Sequence, residues 1–170
     1  MKESHPVSHV PPGTNAVVTP YICPRNAADA IDWYCEVFEA TQEGDRYVEP
    51  NGAIGHAQIN IDGAQIMISD AFPDYGAVAP EPGNTAGTFA LSLYVPDADA
   101  TVAEAQRRGA NVQRPVAEQF YGSRMGTLVD PFGVRWMIGT HVRDVSEEEM
   151  AKAAAEYSGA ESGPEATKPG

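Results

Sequence analysis

The run Thr19-Pro-Tyr-Ile-Cys-Pro-Arg-Asn-Ala-Ala-Asp-Ala30 decides how this chain is read. It opens as an extended segment, stops at Pro24, and offers Asn26 as the cap of a helix beginning at Ala27. About 72 residues later, counted from Pro24 to Pro96, Leu91-Ser-Leu-Tyr-Val-Pro-Asp-Ala-Asp-Ala100 repeats the same grammar. The two helices end comparably, at Phe38-Glu39-Ala40 and at Arg108-Gly109-Ala110. Three extended runs follow each helix: Thr41 to Val48, Ala53 to Ile61 and Gln65 to Ser69 in the first half, and Asn111 to Val116, Gly122 to Val129 and Val134 to Gly139 in the second. Asn51-Gly52, Asp62-Gly63 and Asp130-Pro-Phe-Gly133 supply turns between them. The expected fold class is α+β, with two βαβββ modules, about 15–70 and about 88–141, forming one domain over residues 15–141.

Working outward, helix one (about Ala27 to Glu39) places Ile31, Tyr34, Cys35 and Phe38 on one stripe, whereas helix two (about Ala98 to Arg108) offers Val102 and alanines. Ser146 followed by Glu149 is a capping box, so a short helix is expected within residues 142–156. Residues 1–14 are Pro-, Ser- and His-rich, and residues 157–170 are Gly-, Ser-, Pro-, Glu- and Lys-rich. Both are expected to be disordered tails.

With 170 residues and 42% apolar content the chain suits a single core. The net charge of -13 disfavours nucleic acid, which requires a basic patch, and is easier to reconcile with a neutral or cationic small ligand. From Val142 onward the chain carries three basic and seven acidic side chains, so part of the imbalance lies outside the domain. No stretch approaches the roughly 18 to 20 consecutive apolar residues of a membrane span. The start Met-Lys-Glu-Ser-His-Pro lacks a secretory apolar region, so no membrane partner and a cytoplasmic location are expected. Cys23 and Cys35 read as free thiols.

Strand alternation separates two faces. Val18, Pro20 and Ile22, then Ile59 and Ile61, Ile66 and Ile68, Leu91, Leu93 and Val95, and Val134, Trp136 and Ile138 form the apolar set. Opposite them stand Thr19, Tyr21 and Cys23; His56, Gln58 and Asn60; Gln65, Met67 and Ser69; Ala90, Ser92 and Tyr94; and Arg135 and Met137. The second set is polar and aromatic and almost uncharged, which suits a sheltered ligand chamber. An ordinary half-wet antiparallel face alternates in the same way.

The Thr19-Pro-Tyr strand, the Ala27-Ala-Asp-Ala-Ile-Asp-Trp-Tyr34 helix, Gly55-His56-Ala57, Gln119-Phe-Tyr-Gly-Ser-Arg124 and Asp130-Pro-Phe-Gly-Val-Arg-Trp136 together resemble the PhnB-like branch of the vicinal oxygen chelate (glyoxalase/bleomycin-resistance/dioxygenase) superfamily. The resemblance implies an incomplete, antiparallel-rich barrel around a cavity, often completed by dimerisation, so a homodimer is expected. Metal-dependent members carry His, Gln or Glu on the first, fourth, fifth and eighth strands. In this chain those positions fall on Thr19, Met67, Ala90 and Met137, which are poor ligands for zinc or for a hard divalent ion. No metal and no cofactor are expected.

His56 is the one inward imidazole and the weak catalytic candidate; a lone strand histidine is more often a hydrogen-bonded structural residue. A nucleophilic pair with Cys23 requires an adjacency that sequence does not establish. Tyr121 and Arg124 sit in the Gln119–Arg124 run, where Arg124 pairs either with an anionic ligand group or with a carboxylate such as Asp130. Arg135, read as inward, needs a carboxylate or a ligand as partner. The Pro- and Gly-rich run from Asp70 to Gly87, with Phe72 and Tyr75, is either a lid or the link between modules. The expected ligand-binding set is thus Thr19, Tyr21, His56, Gln58, Met67, Tyr94, Tyr121, Arg124, Arg135 and Met137. The expected function is metal-independent binding of a cationic or aromatic small molecule, sequestering an antibiotic or metabolite. A lyase or isomerase of the same fold is the alternative.

Overall fold

The computed structural model describes residues 18–160, with the backbone alone at 157–160. The expected tail 1–14 and the last ten residues lie outside the described residues. Module one runs β1 (Tyr21–Ile22), α1 (Ala27–Val37), β2 (Thr41–Val48), β3 (Ile54–Ile61) and β4 (Ala64–Ile68). Module two repeats it as β5 (Leu91–Tyr94), α2 (Ala98–Arg107), β6 (Asn111–Glu118), β7 (Ser123–Val129) and β8 (Arg135–His141), followed by α3 (Glu147–Ala160). The sheets have matching orders, β1-β4-β3-β2 and β5-β8-β7-β6. In each, the short first strand joins the last in parallel while the remaining pairs are antiparallel. The α+β, two-module expectation is what the chain adopts, with sheets that do not close into a barrel.

Both helices start where the caps predict. Asn26 accepts from Asp29 N at 3.2 Å, although its own backbone is left-handed (φ 52°), and Asp97 accepts from Ala100 N at 2.9 Å. Helix α1 buries Ile31, Trp33, Tyr34, Val37 and Phe38. Cys35, expected on that stripe, is half-buried, while Trp33 takes a buried place and donates Nε1–H to Arg108 O at 3.0 Å. Helix α2 contributes Ala98, Val102 and Ala105.

One continuous core joins the modules, because the aromatic face of α1 packs on a strand of module two. Tyr34 and Phe38 lie 5.4 and 4.7 Å from Trp136, ring to ring. Fully burying aromatic side chains of this size contributes about 1.5–3 kcal/mol each. Trp136, Ile138, Ile59 and Ile68 are buried as the apolar alternation requires, whereas Val18 of the same set, ahead of β1, is 84% exposed.

The capping box at Ser146 is formed: Ser146 N donates to Glu149 Oε2 at 2.9 Å and Glu149 N to Ser146 Oγ at 3.2 Å. The helix it starts runs to Ala160, four residues beyond the expected end at 156. An Ala- and Glu-rich sequence with no breaker before Ser158 continues a helix once it is nucleated. The segment between modules is irregular except for a single 3₁₀ turn, Pro73–Tyr75, and a bridge between Phe72 and Ala77.

Candidate functional site

Strand register sets four residues in a row across each sheet, on the face away from the helices. In module one the row is Tyr21, Met67, Gln58 and Glu43; in module two it is Ser92, Met137, Thr127 and Arg114. The two methionines occupy equivalent places on β4 and β8. Glu43 and Arg114 were not legible as inward residues, because β2 and β6 show no contrast between their two faces, and each carries bulges that shift its register.

Around the first row the polar side chains touch in sequence. Tyr21 Oη lies 3.3 Å from His56 Nδ1, and the Gln58 amide nitrogen lies 3.1 Å from His56 Nε2. Gln65 Nε2 donates to Gln58 Oε1 at 2.9 Å and to Glu43 Oε2 at 2.6 Å, and Asn60 Nδ2 donates to Glu43 Oε1 at 3.0 Å. Gln65 is buried at 6% exposure, while Tyr21 at the other end is half exposed at 50%.

A cleft of about 410 Å³ opens at the seam of the modules, lined by Tyr21 and Cys23 from β1 and beyond it, Val78 and Phe89 from the linker, and Arg135 from β8. It falls within the roughly 300–1,000 Å³ typical of small-molecule sites. Arg25 builds this seam: its backbone N–H donates to Phe132 O at 3.0 Å, and its guanidinium to Pro131 O at 2.8 Å and Pro80 O at 3.1 Å. The turn at Gly133 (φ 93°) passes so close that a Cβ there would meet Pro80 at 2.6 Å. Arg135 donates Nε–H to Gln113 Oε1 at 3.1 Å. A second hollow of about 320 Å³ gathers Tyr121, Met137, Thr127 and Arg114.

The expected site residues are therefore distributed over neighbouring surfaces. Tyr21 and Arg135 share the seam cleft, and Tyr121 and Met137 share the module-two hollow. His56, Gln58 and Met67 stand on the module-one face, with half-buried Thr19 just before β1. Tyr94, 57% exposed, lies over Gly139, where a Cβ would meet its ring at 3.4 Å and Met125 at 2.7 Å. Arg124 is the exception: it makes a two-point ion pair with Asp99 of α2, at 2.8 and 2.9 Å, and so faces the helix layer. Asp130, the partner expected from sequence, is engaged elsewhere. That carboxylate, 3% exposed, accepts from Tyr34 Oη (2.7 Å), Trp136 Nε1 (2.9 Å) and the Phe132 and Val134 amides (2.9 Å each). Burial pushes Asp130 above the ordinary aspartate range although these four donors pull it back, and burial beside Asp130 pushes the Tyr34 phenol well up. Cys23 meets Ser69 Oγ at 3.6 Å, while both ring nitrogens of His56 face Tyr21 and Gln58, so the two do not form a nucleophilic pair.

The fold family implies a divalent metal in some members, and the side chains here do not fit one. The strand positions in question present Met67 and Met137 with Thr19 or Tyr21 and Ala90 or Ser92. Among the described residues no three His, Cys, Asp or Glu side chains converge on a point.

Two βαβββ units with a shared core, a row of mostly polar side chains across each sheet and a cleft at their seam define a paired-module fold. Residues 15–138 match the model of the Glyoxalase/Bleomycin resistance protein/Dioxygenase superfamily, and the chain belongs to it. An uncharacterized protein of Mycobacterium bovis is 35% identical over 138 residues, covering 80% of this chain and 90% of that protein. Among solved structures, protein PA1353 from Pseudomonas aeruginosa superposes with a TM-score of 0.57 at 22% identity, covering 74% of this chain and 98% of that one. A PhnB protein from Bacillus cereus gives 0.57 at 17% identity over 74% and 99%. At these identities the structures share the fold.

Proposed function

We propose that the protein is a metal-independent small-molecule binder that holds a flat aromatic compound at the seam between its modules, sequestering an antibiotic or metabolite without transforming it. The observation that carries this reading is the seam cleft, walled by Tyr21, Phe89 and Arg135 and adjoining two methionine-centred rows on which, among the described residues, no three His, Cys, Asp or Glu side chains converge. Aromatic rings and a guanidinium stack on planar ligands. Of the cationic or aromatic ligand expected from sequence, the aromatic alternative is the one retained. Net charge sets the long-range field, but the seam cleft and the module-two hollow each present an arginine and no carboxylate.

Exposed Tyr47, Val48 and Tyr94 on the strands leave apolar surface open, and a second copy of the chain would cover it, giving a homodimer. Light scattering checks this: twice the chain mass is expected, and a monomer across the micromolar range contradicts it. Binding is favoured over the lyase or isomerase alternative because both ring nitrogens of His56 are engaged, by a tyrosine and an amide, and it forms no pair with Cys23. The test is calorimetry with a panel of planar aromatic antibiotics and metabolites, with products sought by chromatography. Saturable binding without product supports the proposal, and turnover of a bound compound ends the binder reading.

A further inference from the structure

We infer that the compound held at the seam presents a hydrogen-bond-accepting oxygen, such as a ring carbonyl, to the Tyr21 hydroxyl, because a chain of hydrogen bonds beginning at Glu43 fixes the direction of every donor up to that hydroxyl. The inference rests on the binding reading above and deepens it.

The direction follows from the chemistry of each group. A carboxylate only accepts, so the Gln65 amide atom 2.6 Å from Glu43 is its nitrogen. That same nitrogen lies 2.9 Å from Gln58, whose facing atom must accept and is therefore the oxygen. The other end of the Gln58 amide is then NH₂, 3.1 Å from His56 Nε2. An amide nitrogen has only protons to offer, so Nε2 accepts and the proton of the neutral imidazole sits on Nδ1. Nδ1–H points at Tyr21 Oη, 3.3 Å away, and is accepted there. With its oxygen engaged as acceptor, Tyr21 turns its own O–H outward. This assignment does not depend on how any single amide is drawn, because the acceptor-only Glu43 sets them all.

Tyr21, 50% exposed, is also a wall of the seam cleft. Arg135 lines it too, and beyond Nε–H, given to Gln113, its guanidinium makes no hydrogen bond among the described residues. The cleft thus offers a hydroxyl and a guanidinium as donors, with no carboxylate in its lining. A planar ring system carrying a carbonyl oxygen satisfies both the apolar wall and these donors. The same skeleton without the oxygen leaves them unpaired.

Two measurements test this on the full chain. Long-range proton–nitrogen NMR at about pH 9, where an ordinary imidazole is neutral, reads the tautomer of His56, with the signal assigned by its loss in His56→Ala. Protonated Nδ1 and bare Nε2 are expected, with the tautomer redistributing in Glu43→Gln. Protonated Nε2 in the wild type overturns the inference.

The second measurement compares 9-fluorenone with fluorene, which have the same planar frame and differ in one carbonyl. The wild type should prefer fluorenone by about two- to tenfold, as one net hydrogen bond supplies, and Tyr21→Phe should remove the preference while keeping fluorene affinity. Equal binding of both probes, or a preference that survives Tyr21→Phe, overturns the inference and leaves the binding reading standing. Failure of both probes to bind, with Nδ1 protonated, removes the aromatic-binder reading at this cleft and the ligand class with it.

Discussion

Asp130 is where one side chain commits the two modules to each other. It belongs to the turn of module two, yet one of its oxygens accepts hydrogen bonds from both Tyr34 of α1 and Trp136 of β8. An amide at this position would accept the two backbone protons but set its NH₂ against two further donors. Asp130→Asn is therefore expected to cost about 2 kcal/mol in urea unfolding, and a change below about 0.5 kcal/mol would contradict the account.

The sign of its pH dependence is also fixed. The folded carboxyl titrates above the unfolded value of about 4, so the folded state holds the proton more tightly. That contribution is complete below about pH 4 and is lost as pH rises through the raised value. The wild-type advantage over Asp130→Asn should shrink between about pH 4 and neutrality as the buried carboxyl ionises, and an advantage that grows over that range would show that the four donors outweigh burial. The sequence marked Asp130 as a turn residue, and its motif carried the family resemblance. It gave no sign that Tyr34 would reach it, since side chains 96 positions apart meet only through tertiary packing. For the same reason Arg124 was unreadable: its true partner, Asp99, looks from sequence like an ordinary first-turn helix acid.

The element whose entry is most exposed to substitution is α1. Asn26 combines a left-handed backbone, φ 52°, with a side-chain cap on Asp29 N. Asn26→Ala loses the cap and adds left-handed strain, about 1–2 kcal/mol in all, whereas Asn26→Gly relieves the strain and should cost less. Chemical denaturation of both variants checks the order, and an alanine variant as stable as the glycine one contradicts it.

A second vulnerable joint is Gly122, φ 83°, where a Cβ would sit 2.1 Å from Arg143 O. Val142 N and Arg143 N both donate to Gly122 O there, at 2.9 and 3.1 Å. Gly122→Ala should detach the segment leading into α3 and speed its cleavage by limited proteolysis, leaving the core intact. Unchanged cleavage would show that this joint does not hold α3. Elements with contrasting faces, namely α1, β3, β4, β5 and β8, were legible almost to the residue. Strands β2 and β6 were found as elements, but their inward residues were not, because their polar residues do not alternate and their bulges break the period of two.

At the scale of the whole molecule, the duplication legible in Thr19–Ala30 and Leu91–Ala100 became two sheets of identical strand order. The helices supply one face of each sheet and a shared core. The other faces were expected to form a ligand chamber, and the described surface carries several separate hollows, among them the seam cleft and one on module two. Alternation assigns a residue to a face, whereas the curvature of a sheet and the path of the linker decide which faces meet. Residues such as Arg25, which ties β1, the linker and the Gly133 turn together, act through those tertiary paths and carry no local signature.

The central claim is that this family fold binds its compound with side chains alone. Calorimetric titration of chelator-treated protein with planar aromatic ligands, repeated with added Zn²⁺, Mn²⁺ or Fe²⁺, tests it most directly. The account predicts saturable binding with the same Kd in every titration and no product. Binding that appears only with a metal, or turnover that a metal restores, would contradict it.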